Sequence, residues 1–107
     1  MTLRIVYSST LRPGVSQDNL DELVRKAAAF NARHGIAGMM AVEDRRVCQI
    51  LEGPDDTLEA LYAAIRRDPR HSAVTELVHA PIDVMTFEEW GMVRRPMADM
   101  VVVAFTL

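Results

Sequence analysis

One residue stands out in the apolar run Val47-Cys48-Gln49-Ile50-Leu51: the amide of Gln49. Strand alternation puts it on the same face as Val47 and Leu51. A buried amide without partners costs roughly 1–3 kcal/mol, so Gln49 needs hydrogen bonds, and an amide can both donate and accept them. Tyr7 lies in a second strand-like stretch, Leu3 to Ser9, where Leu3, Ile5 and Tyr7 alternate with Arg4, Val6 and Ser8. A buried phenol also seeks a partner. Asn31 closes the helical stripe of Leu20, Leu23, Val24, Ala27 and Ala28. Taken singly, each reads as a satisfied core or capping residue. Together, a phenol and two amides near one sheet face suit recognition of a planar heterocycle.

Other chemistries find little support. No G-x-G-x-x-G or Walker loop is present. His34, His71 and His79 are far apart in sequence, and with a single cysteine, Cys48, neither a metal cluster nor an intrachain disulfide is expected. The acid pairs Asp55-Asp56 and Glu88-Glu89 read as solvated. Thr10-Leu11-Arg12-Pro13-Gly14 matches a phosphate-cradling loop of the acylphosphatase kind only faintly. A net charge of -3 with scattered Lys and Arg argues against a nucleic-acid partner. No apolar run approaches the roughly 20 residues of a membrane helix, and Met1 to Ser9 does not read as a signal peptide, so a cytoplasmic location is expected.

The elements that must position these residues follow from periodicity. Leu3–Ser9 reads as a strand, Pro13-Gly14 as a turn, and Ser16 as the N-cap of a helix that Gly35 stops. Ile36–Val42 and Val47–Leu51 read as a hairpin joined by Glu43-Asp44-Arg45-Arg46, with Glu52-Gly53-Pro54 breaking the pattern. A second helix starts at Pro54, buries Leu58, Leu61, Tyr62 and Ile65, and ends at Asp68-Pro69. Ala73–Ile82 is a fourth strand, and a fifth is expected to begin near Glu89 or Trp90. This order predicts an α+β fold: a ferredoxin-like βαββαβ(β) sandwich, a mixed sheet with two helices on one face. Residues 1–95 are read as one domain and 96–107 as a C-terminal extension.

Five segments in order resemble the BLUF domains, blue-light sensors that use FAD. They are Ile5-Val6-Tyr7-Ser8-Ser9, Asn31-Ala32-Arg33-His34-Gly35-Ile36-Ala37-Gly38-Met39, Gln49-Ile50-Leu51-Glu52-Gly53-Pro54, Asp68-Pro69-Arg70-His71 and Phe87-Glu88-Glu89-Trp90-Gly91-Met92. The resemblance implies a non-enzymatic photoreceptor with FAD between the two helices. It implies that Tyr7 passes an electron and a proton to the excited flavin, and that Gln49 is the switch amide. Trp90 and Met92 then couple the pocket to the last strand, and Asn31 holds the ring's polar edge. Asp68, Arg70 and His71 lie near the ribityl chain and phosphates, with Val24 and Ile65 as apolar walls.

The match has departures. Phe30 stands where the family usually has a polar residue, and Ala27-Ala28-Ala29 lacks the Arg or Ser often found there. Output is expected to pass to a separate effector protein, with homo-oligomerisation through the outer sheet face. A light-insensitive interaction domain of the same family is the second reading.

Overall fold

The structure, a computed structural model, describes residues 1–87 and 93–98. The elements run β1 (Thr2–Leu11), α1 (Gln17–Arg33), β2 (Ala37–Glu43), β3 (Arg46–Pro54), α2 (Asp55–Arg67), β4 (His71–Ile82) and β5 (Val93–Arg95). The sheet order is β4-β1-β3-β2-β5. The first four strands pair antiparallel and β5 joins β2 in parallel, giving the mixed ferredoxin-like sheet that the pattern predicts. The expected strand start at Glu89 or Trp90 lies outside the described residues, as do residues 99–107 of the extension.

Side-chain alternation divides the core into two layers. On the helix side, Leu3, Ile5, Tyr7, Leu11, Val47 and Leu51 pack against Leu20 of α1 and Leu58 and Tyr62 of α2. On the other side, Val6, Ala37, Met39, Ala41 and Ile50 pack with Phe87. Leu61 and Ile65 are only partly buried, at the edge of the first layer.

The helix ends are specified locally. The hydroxyl of Ser16 accepts from the Asn19 amide while the Asn19 side chain accepts from the Ser16 amide, a reciprocal cap. At the other end Gly35 adopts φ +69°, and the Ile36 amide donates to the Asn31 carbonyl at 2.9 Å. That left-handed turn suits glycine and fixes Asn31 at the root of the helix end.

The third strand runs further than its sequence suggests. Glu52 and Gly53, read as a break, continue β3 because distant groups satisfy the Glu52 carboxylate. Arg4, directly opposite on β1, donates through Nε at 2.9 Å and lies at 2.7 Å through Nη2. The Thr86 and Phe87 amides donate to the other carboxylate oxygen at 2.6 and 3.0 Å. Glu52 has no exposed surface, so this pairing is what makes its charge tolerable there.

Strands β2 and β3 approach closely at Gly38, where a Cβ would sit 2.3 Å from the Ile50 carbonyl oxygen. A side chain at that point must push the two strands apart. Gly38→Ala is expected to destabilise the fold by about 1–3 kcal/mol, the usual cost of overpacking, measured as a lower urea midpoint at unchanged slope.

Candidate functional site

Tyr7 and Gln49 are directly opposed on β1 and β3, and both side chains point toward the helices. The Tyr7 hydroxyl donates to Gln49 Oε1, with Tyr7 3% and Gln49 4% exposed. Burial is the main reason that the Tyr7 phenol is pushed far above its ordinary value of 10.0; the neighbouring Tyr62, Cys48 and Asp68 add to the effect. Tyr7 is thus held neutral with its proton committed to one acceptor.

Above this pair a cleft opens between α1 and α2, with about 780 Å³ of unfilled space including its solvent-open mouth. Its apolar lining includes Leu20, Leu23 and Ala27 from α1, Leu61 and Ile65 from α2, and Met40 from the sheet. Polar groups gather in two places. Tyr7, Gln49 and Asn31 form one set, and Asp68, Arg70 and His71 the other. An apolar slot with polar groups of these two kinds fits an aromatic ring system that carries a polar edge and a charged tail.

The second polar set is built at the end of α2. Asp68 caps the helix, and Pro69 after it prevents continuation. Asp68 accepts from the Arg70 amide at 2.9 Å and from the Arg70 guanidinium at 2.5–3.0 Å. This pairing holds the Asp68 carboxyl below and the Arg70 guanidinium above their ordinary values. His71 Nε2 donates to the Ile65 carbonyl at 2.6 Å, because a carbonyl can only accept. In the neutral ring Nδ1 is therefore the acceptor, and it receives the Ser9 hydroxyl at 2.8 Å. Strand β4 shifts register against β1 on both sides of Tyr7 and Ser8, with Ala73 at φ +54° in one irregular stretch. Bulges of this kind re-aim nearby side chains, here next to His71.

The structure brings together Tyr7, Asn31, Gln49, Ile65, Asp68, Arg70 and His71 around one cleft. Val24 is partly buried against the helix-side core layer, and the residues of α1 that line the cleft beside it are Leu23 and Ala27. Trp90 and Met92 lie outside the described residues. Phe30 lines the cleft and stacks on His34 with ring centroids 4.1 Å apart. Two neighbours of the site were not foreseen. Ser9 shares the Tyr7 face by simple alternation, a signal present in the sequence. Tyr62 places its ring 5.7 Å from that of Tyr7, a contact between α2 and β1 that no local pattern shows.

Comparison with known proteins places these residues in context. The family model described as sensors of blue-light using FAD, BLUF, matches residues 2–93. The photoactivated adenylate cyclase subunit beta of Euglena gracilis is 35% identical over 93 residues, covering 86% of this chain and 11% of that protein. The structure of Klebsiella pneumoniae BlrP1 with FMN and cyclic diGMP superposes with a TM-score of 0.86 at 29% identity, over 98% of this chain and 30% of that one. The photo-activated state of BlsA gives a TM-score of 0.84 at 27% identity, over 99% of this chain and 79% of that one. The chain therefore spans only about a tenth of the cyclase subunit's length.

The raised Tyr7 phenol has a pH consequence. Above pH 10 or so the unfolded chain releases a proton that the folded chain keeps, so stability falls as pH rises, by up to about 1.4 kcal/mol per pH unit. In the flavin-free protein, urea midpoints measured from roughly pH 9 to roughly pH 11 should drop, and Tyr7→Phe should flatten that drop.

Proposed function

Because this chain belongs to the BLUF family, the sensors of blue light using FAD, we propose that Tyr7 and Gln49 form its photoactive pair beneath a ring system held between α1 and α2. The buried hydrogen bond from Tyr7 to Gln49 Oε1, facing an apolar cleft, is the observation that carries the reading. When bound, FAD supplies the absorption of blue light and an excited ring able to accept an electron, which no side chain provides.

The protein's own part is placement. Tyr7 is held neutral, with its proton on the bond to Gln49. Gln49 presents its carbonyl oxygen to Tyr7. If the amide turns over or tautomerises, a hydrogen-bearing nitrogen or oxygen faces the phenol, which must then accept and seek a new acceptor for its own hydrogen. The bonding pattern changes without any lasting covalent product. Asn31, fixed by the helix end, would hold the ring's polar edge, and Ile65 would wall the slot with Leu23, Ala27 and Val24 nearby. Asp68, Arg70 and His71 would meet the ribityl chain and phosphates, and Arg70 is the cation among them.

The output reading extends beyond the sensor. Trp90 and Met92 would link the pocket to the last strand, residues 1–95 would form the sensory unit, and 96–107 would extend it. The signal would pass to a separate effector protein or through self-association of the outer sheet face. Exposed Leu77, Val78 and Val84 on and just after β4 offer apolar surface for such a contact.

The decisive measurement is the visible spectrum of purified protein loaded with FAD, before and after a blue flash. A flavin spectrum with a small red shift that reverses in the dark is expected, and Tyr7→Phe or Gln49→Leu should each abolish the shift while leaving flavin bound. Protein that stays colourless after incubation with FAD would sink the reading. Asn31→Ala is expected to weaken FAD binding by about tenfold, the value of one lost hydrogen bond of roughly 1.4 kcal/mol, measured by quenching of flavin fluorescence.

A further inference from the structure

We propose that Glu52 is the positioning residue for signal output, carrying a change at Gln49 through β3 to the backbone of Thr86 and Phe87 on the far side of the sheet. The proposal rests on the reading of Tyr7 and Gln49 as the photoactive pair.

Four features of the fold converge on this residue. Glu52 follows Gln49 by three positions on the same strand, so the two side chains leave β3 on opposite faces. Strand β3 is the middle strand of the five, while β4 and β5 lie at opposite edges. The residues after β4 therefore meet the sheet's centre at Glu52 on the way to β5. Every contact of the carboxylate there is directional: one oxygen takes the Thr86 and Phe87 amides, the other takes Arg4, and Arg4 Nη2 also donates to the Thr86 hydroxyl at 3.0 Å.

A neutral acceptor would suffice to hold a static crossover. A fully buried carboxylate does more, because losing Arg4 would leave its charge uncompensated and losing either amide would leave a charged oxygen short of donors in the interior. The amides of Thr86 and Phe87 therefore follow the carboxylate when β3 moves rather than detach from it. Arg4, opposed across the β1–β3 ladder, makes the carboxylate responsive to the same register that opposes Tyr7 and Gln49. Phe87, 5% exposed, converts displacement of its amide into repacking against Ile50 and Met39.

The test is amide hydrogen exchange of the FAD-loaded protein in the dark and under continuous blue light, resolved by NMR. The Thr86 and Phe87 amides should exchange slowly in the dark and change by about tenfold or more in the light. Gln49→Leu should remove that change. Glu52→Gln should keep the red shift of the flavin band but uncouple the two amides from light. Equal exchange of both amides in dark and light, with the red shift present, overturns the proposal and leaves the photosensor reading standing. Absence of any red shift in flavin-loaded protein overturns both. A light response of the two amides that survives Glu52→Gln also overturns the proposal; should that variant fail to fold, Arg4→Lys, which keeps the positive charge but not the guanidinium bridge between Glu52 and Thr86, is read in its place with the same two outcomes.

Discussion

The structure depends on the register between β1 and β3. Tyr7 meets Gln49 because the two are directly opposed in an antiparallel pair, and a slip by one residue would send both side chains' partners to the wrong face. The same ladder opposes Arg4 to Glu52 three residues along. One pairing of strands thus fixes a neutral hydrogen bond on the helix side and an ion pair on the other. The close approach of β2 at Gly38 adds a third restraint, since it admits no side chain between the strands.

The helices serve that register by shaping what lies above it. Helix α1 is pinned by a reciprocal cap at Ser16 and by the glycine turn at its other end, which sets Asn31 over the sheet. Helix α2 is tied at its end by His71, which joins the Ile65 carbonyl to the Ser9 hydroxyl of β1. Both helices are tied down at the ends that carry polar residues into the cleft, and their apolar residues form the walls between. Such an arrangement orients a ligand by a few polar groups against a hydrophobic lining.

Much of this was legible in the sequence. Alternation alone put Gln49 with Val47 and Leu51, and Tyr7 with Leu3 and Ile5, on the face they occupy. The Ser16 cap, the Gly35 stop and the Asp68-Pro69 end were readable because caps are local. Long-range pairing was not readable. Glu52 looked like a break because its partners lie 34, 35 and 48 residues away. His71 could be placed near the site only by resemblance, since its bond to Ser9 spans 62 residues. The choice between Val24 and its neighbours Leu23 and Ala27 as cleft wall depends on the rotation of α1, which an apolar stripe broad enough to include all three does not specify.

Strand β3 has an unusual consequence for variation. From Val47 to Gly53 every residue is buried or half-buried, and the two faces serve different masters. Val47, Gln49 and Leu51 answer to the cleft, whereas Cys48, Ile50 and Glu52 answer to the opposite layer. Every position is held by its surroundings, so this short stretch leaves descendants of the sequence little room to differ. Variety has to be written elsewhere, in the exposed fourth strand, while the sentence spoken by β3 stays the same.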